Sequence, residues 1–257
     1  MPRPHIVILG AGFGGVYVAK NLAKAVRKGE IDVTIVNRTN NFLFTPLLHE
    51  VATGGLNPRS VAEPLREIFV GTDIRIIEGL ADSINTSARV ISIKEELRST
   101  TLEYDFLVVA TGAETNYYGI AGAEEYSLPL KSLRDATLIR NRIIEAFEQA
   151  ITIENPEERR DTLSFFIIGG GATGVEVAAE LVEFIDEMVN RYYRDSNCPP
   201  DDPKHCKREE FTVTLIHADK ELLPQFSASL RAYARKHLSK KGVAVRLNAA
   251  VASVTKN

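Results

Sequence analysis

The sequence predicts an α/β protein with two units in which parallel strands alternate with helices. Two glycine-rich segments carry this prediction, at residues 10–15 and 169–174, and both have the spacing GxGxxG. Each follows an apolar run, at residues 5–9 or 163–168, and each opens a helical stretch with apolar periodicity. A strand, a glycine turn and a helix start in that order are typical of a Rossmann-like dinucleotide-binding unit. We therefore predict two such units in one chain.

The glycines of the first segment have separate physical roles. Gly10 makes the turn out of the strand, Gly12 leaves room for a pyrophosphate beside the backbone, and Gly15 lets the helix pack on the strand. The same offsets recur at Gly169, Gly171 and Gly174. The start of each helix offers free N–H groups to a diphosphate. Two dinucleotides favour hydride transfer from a nicotinamide to a flavin, and the alternative is two structural βα turns without a ligand.

The composition is that of a globular protein with room for two domains. The chain has 257 residues, of which 44% are hydrophobic and 25% are charged. Its net charge of −3 does not favour a nucleic-acid partner. No apolar stretch approaches the ~20 residues that span a bilayer, and the strand predicted at residue 5 leaves no room for a signal peptide. We expect any membrane contact to be peripheral.

The first unit is predicted to continue as alternating strands and helices. Its predicted strands lie at residues 5–9, 32–36, 74–78 and 106–110, with a hairpin of residues 88–93 and 102–104. A helix is predicted over residues 13–28, and residues 37–44 are interpreted as a binding loop. Three prolines interrupt the segment at residues 45–69, so we expect that segment to be only partly helical.

The second unit is predicted to show the same alternation. Ser132 is the predicted N-cap of a helix that runs to about residue 150, after an extended segment at residues 126–130. The charged residues 155–161 are expected to form a loop. The later predicted elements are a strand at 164–168, a helix at 173–193, a polar surface insertion at 195–209, a strand at 211–217, a helix at 227–241 and short strands at 243–247 and 251–254.

Several segments make the sequence similar to a known family. They are residues 10–15 (GAGFGG), 44–54 (FTPLLHEVATG), 110–119 (ATGAETNYYG), 129–133 (PLKSL), 169–176 (GGGATGVE) and 222–224 (LLP). These segments resemble type II NADH:quinone oxidoreductases, which are single-subunit flavoproteins of the superfamily that includes glutathione reductase. The resemblance implies an FAD-binding domain at residues 1–122 and an NAD(P)H-binding domain at residues 123–257. It also implies a respiratory-chain enzyme without proton pumping, in which hydride passes from NADH to FAD and two electrons pass to a membrane quinone.

The resemblance assigns roles to individual residues. The resemblance implies that the FAD pyrophosphate is held by Gly10, Gly12, Phe13 and Gly14, with Gly15 behind them. It implies that Asn37 and Arg38 face the ribose of FAD and that Ala81 contacts the adenine. It also implies that FAD is covered by Ala110, Thr111 and Gly112, and that its isoalloxazine lies near Thr45, Pro46 and Leu47. Those implied for the NADH pyrophosphate are Gly169, Gly171, Ala172, Thr173 and Gly174. Glu176 is implied as the catalytic residue where nicotinamide and flavin meet, and the alternative is a carboxylate that complements the helix dipole.

The chain departs from the family pattern at two strand ends. The family carries an acid there, whose carboxylate accepts a hydrogen bond from a ribose 2′-hydroxyl. The first position holds Asn37, whose amide oxygen can still accept that bond. The second position holds His217, which tolerates a 2′-phosphate better than a carboxylate does, with Asp219 two residues further on. NADH is therefore the first expectation, NADPH stays open, and the alternative for His217 is that it ends a strand at the surface.

The family's chain also continues beyond the last predicted strand of the second unit. We expect the second unit to be incomplete here, and peripheral membrane contact to come only through the C-terminal region that is absent. The expected location is cytoplasmic, or peripheral on the cytoplasmic face of the inner membrane, and a homodimer is left open. One alternative is a soluble NAD(P)H-dependent reductase of a small redox protein. The other is a truncated, non-catalytic nucleotide-binding protein.

The sequence predicts no metal site. Cys198 and Cys206 lie in a polar segment beside His205, and their spacing does not match a zinc pattern. A disulfide reductase needs a cysteine pair near the flavin, in the first domain. Because no cysteine precedes Cys198, the sequence does not favour this class of enzyme. His49 lies in the loop near the presumed flavin, and we expect it to be structural.

Overall fold

The computed structural model describes residues 2–193 and 210–256. Contacts divide the chain into two compact units. The first unit contains Met1–Phe44 and Arg59–Glu114, and the second contains Thr45–Pro58 and Thr115–Asn257. The segment Thr45–Pro58 thus belongs to the second unit, although the sequence predicts an FAD-binding domain over residues 1–122. That domain division stays a prediction.

The described residues form strands and helices in the alternation that the sequence predicts. The strands are β1 (His5–Leu9), β2 (Asp32–Asn37), β3 (Asn41–Leu43), β4 (Ala62–Pro64), β5 (Arg75–Glu78), β6 (Leu80–Asn85), β7 (Val90–Lys94), β8 (Ser99–Glu103), β9 (Phe106–Val109), β10 (Ser164–Ile168), β11 (Thr212–Ile216) and β12 (Ala244–Arg246). The helices are α1 (Phe13–Arg27), α2 (Leu48–Ala52), α3 (Leu65–Ile68), α4 (Ala123–Tyr126), α5 (Leu133–Ala150), α6 (Pro156–Thr162), α7 (Ala172–Met188) and α8 (Ala228–Lys240). Short turns of other helix types lie at Thr45–Leu47, Pro58–Ser60 and Val189–Tyr193.

The first unit is built on a parallel sheet in the order β5-β2-β1-β9, which is a Rossmann-like arrangement. Successive side chains of β1 point to opposite faces, and both faces are covered. Ile8 packs in a cluster with residues of α1, among them Ala19. Val7 and Leu9 pack on the other face against Ile91 and Ile93 of β7. The apolar run at residues 5–9 therefore lies in the centre of this unit.

The covering sheet differs from its prediction. The sequence predicts a hairpin, and the structure has three antiparallel strands in the order β6-β7-β8. The missed strand β6 is mostly exposed, and Asp82, Ser83 and Asn85 break the alternation that reveals a strand. Its pairing with β7 is a tertiary feature, and it includes a register shift between Ala81 and Ser83.

The second unit contains a parallel sheet in the order β10-β11-β12, with α5 and α7 contributing to its core. Phe147, Leu163, Ile185 and Leu215 are fully buried in this core. The predicted N-cap at Ser132 is confirmed, because its side chain accepts the Asp135 N–H while the Asp135 carboxylate accepts the Ser132 N–H.

The prediction of a loop at residues 155–161 is wrong, because Pro156–Thr162 form α6. Asn155 caps this helix by accepting the N–H groups of Glu157 and Glu158. Proline at the first helical position and acidic residues in the first turn also favour a helix start. The charge density of the segment therefore concealed an N-terminal helix signal.

Other predictions at the ends of the second unit have mixed outcomes. The extended segment predicted at residues 126–130 starts within α4, and residues 251–254 contribute only an isolated bridge between Ser253 and Ala121. The insertion at residues 195–209, with Cys198, His205 and Cys206, lies outside the described residues. Within the described chain, no helix has both the length and the apolar character needed to cross a membrane.

Candidate functional site

The first glycine segment forms a tight turn between β1 and α1. Gly10 has φ +97°, and a Cβ there would lie 2.3 Å from the Ala110 carbonyl oxygen. A Cβ on Gly15 would lie 1.8 Å from the Gly10 carbonyl oxygen. Because both distances are far below contact, side chains are excluded on the strand side of the turn. The turn therefore needs glycine at both positions for reasons of packing alone.

Gly12 is the position in this turn that packing does not explain. Gly12 is the N-cap of α1 and has no side chain that could cap the helix by a hydrogen bond. A Cβ at this position would meet nothing within 4 Å. The space beside its backbone is open, and the first N–H groups of a 15-residue helix start there. These features fit a diphosphate. Phe13, the next residue, packs edge-on against Phe42 and Phe44 at ring-centroid distances of 5.1 and 5.3 Å.

Asn37 holds this loop in place from the end of β2. The Ala11 N–H donates to Asn37 Oδ1 at 3.0 Å, and Asn37 Nδ2 donates to the Thr39 carbonyl oxygen at 2.9 Å. The amide orientation is therefore fixed from both ends. Its oxygen has a second lone pair, which leaves it able to accept another hydrogen bond. Arg38 follows directly and is exposed.

The second glycine segment repeats most of the geometry of the first. Gly169 has φ +113°, and a Cβ on Gly174 would lie 1.9 Å from the Gly169 carbonyl oxygen, but a Cβ on Gly169, unlike one on Gly10, would meet nothing within 4 Å. Gly171 is the N-cap of α7, without a capping side chain, and a Cβ there would meet nothing within 4 Å. Ala172 and Thr173 begin the helix. The two turns therefore share the close packing of the third glycine, at Gly15 and Gly174, and the open space beside the second, at Gly12 and Gly171.

His217 occupies the position in the second unit that Asn37 occupies in the first. The Gly170 N–H donates to His217 Nδ1 at 3.1 Å, so the neutral ring carries its proton on Nε2. Nε2 is buried without a hydrogen-bond partner among the described residues, and it lies 3.5 Å from Asp219 Oδ2. The side chain of His217 is 15% exposed and accepts a backbone N–H, and its role toward a coenzyme stays a prediction.

The remaining predicted site residues are distributed over both units. Ala110 contacts the first glycine turn, and its N–H donates to the Leu9 carbonyl oxygen at 2.8 Å. Thr111 and Gly112 follow it along the chain. Ala81 packs against the cluster of Val7 and Leu9 behind the sheet. Thr45–Leu47 form the short turn that precedes α2 in the second unit.

A further cluster in the second unit surrounds His49. This residue lies on α2, which packs against α5 and α7, and it is 8% exposed. His49 Nε2 lies 3.2 Å from Glu180 Oε1, and His49 Nδ1 lies 3.6 Å from Glu176 Oε2. Glu176 and Glu180 are four residues apart and share one face of α7. The i, i+4 spacing of the two glutamates is a signal in the sequence, but their contact with His49 depends on the packing of α2 against α7.

Burial raises the pKa of Glu180. The charge of His49 and a hydrogen bond from Thr53 act in the opposite direction and offset part of this rise in pKa. The Thr53 hydroxyl lies 3.2 Å from Glu180 Oε2, on the side of the carboxylate away from the His49 contact. Glu50 adds a further negative charge that raises the same pKa. Among the described residues, His49, Glu50 and Glu180 form the one group whose ligand atoms could hold a metal ion, all within 4.8 Å of one another.

Comparison with known proteins agrees with this geometry. Residues 4–257 match the family described as pyridine nucleotide-disulphide oxidoreductase. The chain is 34% identical to the type II NADH:quinone oxidoreductase NdhA of Mycobacterium tuberculosis, over 98% of the chain and 51% of the relative. It is 33% identical to the external alternative NADH-ubiquinone oxidoreductase of Yarrowia lipolytica, over 99% of the chain and 43% of the relative.

Solved structures show the same likeness. The structure of NDH2 from Plasmodium falciparum in complex with NADH superposes with a TM-score of 0.86 at 27% identity, covering 99% of this chain and 50% of that one. The sulfide:quinone oxidoreductase of Aquifex aeolicus shares the fold, with a TM-score of 0.73 at 21% identity. The chain thus spans about half the length of the curated relatives that it matches.

Proposed function

The chain belongs to the pyridine nucleotide-disulphide oxidoreductase family, and we propose that it is an FAD-dependent NADH dehydrogenase that passes electrons to a quinone. One observation carries this proposal: two glycine turns have the same open space beside Gly12 and Gly171, each at the start of a long helix. One such turn accounts for one dinucleotide, and two account for a pair. The relatives named as NADH:quinone oxidoreductases support the choice of coenzyme and acceptor.

Each compact unit would hold the diphosphate of one nucleotide through its own glycine turn. In the first unit the N–H groups at the start of α1 bind the FAD diphosphate, and Asn37 accepts a hydrogen bond from the adenosine ribose. In the second unit the start of α7 binds the NADH diphosphate in the same way. When bound, FAD accepts a hydride from NADH and passes two electrons on. The protein supplies binding and orientation, and it needs no acid–base pair for the hydride itself.

The visible absorbance of the purified chain tests this proposal. The chain is reconstituted with FAD and recorded without oxygen before and after addition of NADH, with NAD⁺ as the matched control. We expect a flavin spectrum that bleaches with NADH only and returns when a quinone is added. Absence of flavin after reconstitution would contradict the first site. A flavin that bleaches and is not reoxidised by quinone would contradict the proposed acceptor, while a small redox protein would remain as the alternative.

Replacement of Glu176 by glutamine is expected to slow flavin reduction by NADH about tenfold, or about 1.4 kcal/mol. The nicotinamide ring gains positive charge as hydride leaves, and a nearby carboxylate stabilises that charge. FAD content should not change, because Glu176 lies on α7 of the second unit. Stopped-flow absorbance measures the rate. The matched control is Glu187→Gln on the same helix, where the carboxylate pairs with Arg191. Equal rates in both variants would remove Glu176 from the mechanism.

Replacement of His217 by aspartate is expected to shift the coenzyme preference toward NADH. A carboxylate can keep the bond from the Gly170 N–H, and it also accepts a ribose 2′-hydroxyl while it repels a 2′-phosphate. We expect the ratio of kcat/KM for NADH over NADPH to rise about tenfold. The exposed His237→Asp on α8 is the control. An unchanged ratio in His217→Asp would show that this strand end does not contact the ribose.

The proposed location of the protein follows from the acceptor. A quinone dissolved in a membrane requires the enzyme to act at the membrane surface. We therefore propose a peripheral location on the cytoplasmic face of the inner membrane, with a cytoplasmic location as the alternative. The chain's own membrane contact and a homodimer stay predictions.

A further inference from the structure

The His49 cluster, defined as His49, Glu50, Glu176 and Glu180, collects more negative than positive charge. It contains one imidazole and three carboxylates, and they come from α2 and α7. The neighbouring Glu183 on α7 pairs with Lys241. From α5, the guanidinium of Arg140 lies beside Gly54. A bound cation would relieve the repulsion among the carboxylates.

The distances inside the cluster match those between the ligands of a small metal ion. Zn²⁺ binds nitrogen and oxygen at about 2.0–2.1 Å in tetrahedral geometry, which separates neighbouring ligand atoms by about 3.3 Å. His49 Nε2 and Glu180 Oε1 are 3.2 Å apart. A ligand oxygen of Glu50 completes the group within 4.8 Å. Two ligands are therefore at the right spacing, and the third lies within 4.8 Å of both.

The groups around these ligands are those that orient metal ligands in proteins. A histidine that binds a metal through one nitrogen usually directs its other N–H toward a carboxylate. His49 Nδ1 faces Glu176 Oε2 at 3.6 Å. Ligand carboxylates are held in turn by hydrogen bonds, and the Thr53 hydroxyl lies 3.2 Å from Glu180 Oε2, which leaves Oε1 for the metal. The hydrogen bond to Glu180 is thus present in the second unit, and Glu176 lies beside His49 Nδ1 just beyond hydrogen-bond distance.

We propose that His49, Glu50 and Glu180 form a binding site for a divalent cation of the zinc type. Three protein ligands leave the fourth tetrahedral position for water. The imidazole selects zinc over Mg²⁺ and Ca²⁺, which prefer sites made of oxygen alone. The site ties α2 to α7 inside one compact unit, and its neighbour Glu176 is also the residue to which the proposed oxidoreductase activity assigns a role.

Direct metal binding tests this proposal without an activity measurement. The purified full chain is stripped with a chelator, dialysed and titrated with Zn²⁺ alone, and bound metal is measured by elemental analysis and calorimetry. We expect one high-affinity Zn²⁺ per chain. Co²⁺ in its place should give the intense visible absorption of a four-coordinate site. No stoichiometric binding, or a Co²⁺ spectrum typical of six-coordinate ions, would overturn the proposal.

Variants assign the metal to this cluster. We expect His49→Ala and Glu180→Gln each to weaken Zn²⁺ binding at least tenfold, with His237→Ala and Glu187→Gln as matched controls that bind normally. Circular dichroism verifies folding, and Glu180→Gln carries the test if His49→Ala does not fold. A double variant, Cys198→Ser with Cys206→Ser, is expected to retain the metal. Loss of binding in that variant, or full binding in Glu180→Gln, would place the metal elsewhere and overturn the proposal.

Discussion

Replacement of Gly12 by valine is expected to abolish FAD binding while the first unit stays folded. The backbone of Gly12 lies at φ −76° and ψ −167°, which valine adopts without strain, and a Cβ there meets nothing within 4 Å. The added methyl groups would occupy the space that we assign to the pyrophosphate. Flavin content after reconstitution and the midpoint of thermal unfolding measure the two effects. Full flavin content in this variant would contradict the assignment of the first turn.

The matched variant in the same turn is Gly15→Ala, which should destabilise the first unit, whereas Gly12→Val should leave it folded. Its Cβ would lie 1.8 Å from the Gly10 carbonyl oxygen, so the helix must move away from the strand. We expect a loss of about 3 kcal/mol of stability from such overpacking. A small change in Gly15→Ala together with a large one in Gly12→Val would show that the turn is looser than the structure indicates.

Replacement of Phe147 by alanine is expected to lower the free energy of unfolding of the second unit by about 3–5 kcal/mol. Phe147 lies on α5, is fully buried, and contacts the rings of Tyr193 and Phe211 at centroid distances of 5.2 and 6.3 Å. Its removal leaves a cavity that the surrounding helices and strands cannot fill completely. Urea denaturation followed by circular dichroism measures the change.

The control for Phe147 is a phenylalanine of the same unit in a different environment. Phe166 lies on β10 and is 61% exposed, so Phe166→Ala should change stability by no more than about 0.5 kcal/mol. Equal losses in the two variants would contradict the burial that distinguishes these side chains.

Features written in a few neighbouring residues could be predicted from the sequence. The Ser132 cap and the paired glycine turns depend on contacts within a few positions of the chain, and the α/β architecture follows from their order. The charged composition of residues 155–161 is typical of a loop, so the helix α6 was not predicted, although Asn155 is a helix cap. The strand β6 could not be found, because its stability comes from pairing with β7 rather than from its own pattern.

The candidate site was harder to predict from the sequence than the fold was. His49 and Glu180 are separated by 131 positions and meet only because α2 packs on α7. The bond between Gly170 and His217 likewise joins distant segments, and it turns a residue interpreted as a departure from a pattern into a part of the turn. The sequence identified which residues stand at these positions, and the tertiary structure supplied their partners.

The side chains that close the two glycine turns have a consequence for how coenzyme choice can evolve. Asn37 Oδ1 and His217 Nδ1 both accept an N–H from the second residue of their turn. An aspartate at either position could accept the same N–H, so the turn requires only a hydrogen-bond acceptor at that distance from the backbone. The codons for aspartate, asparagine and histidine differ from one another only in their first base. A lineage could therefore alter the charge that meets the ribose by single point mutations, without rebuilding the turn that holds the nucleotide.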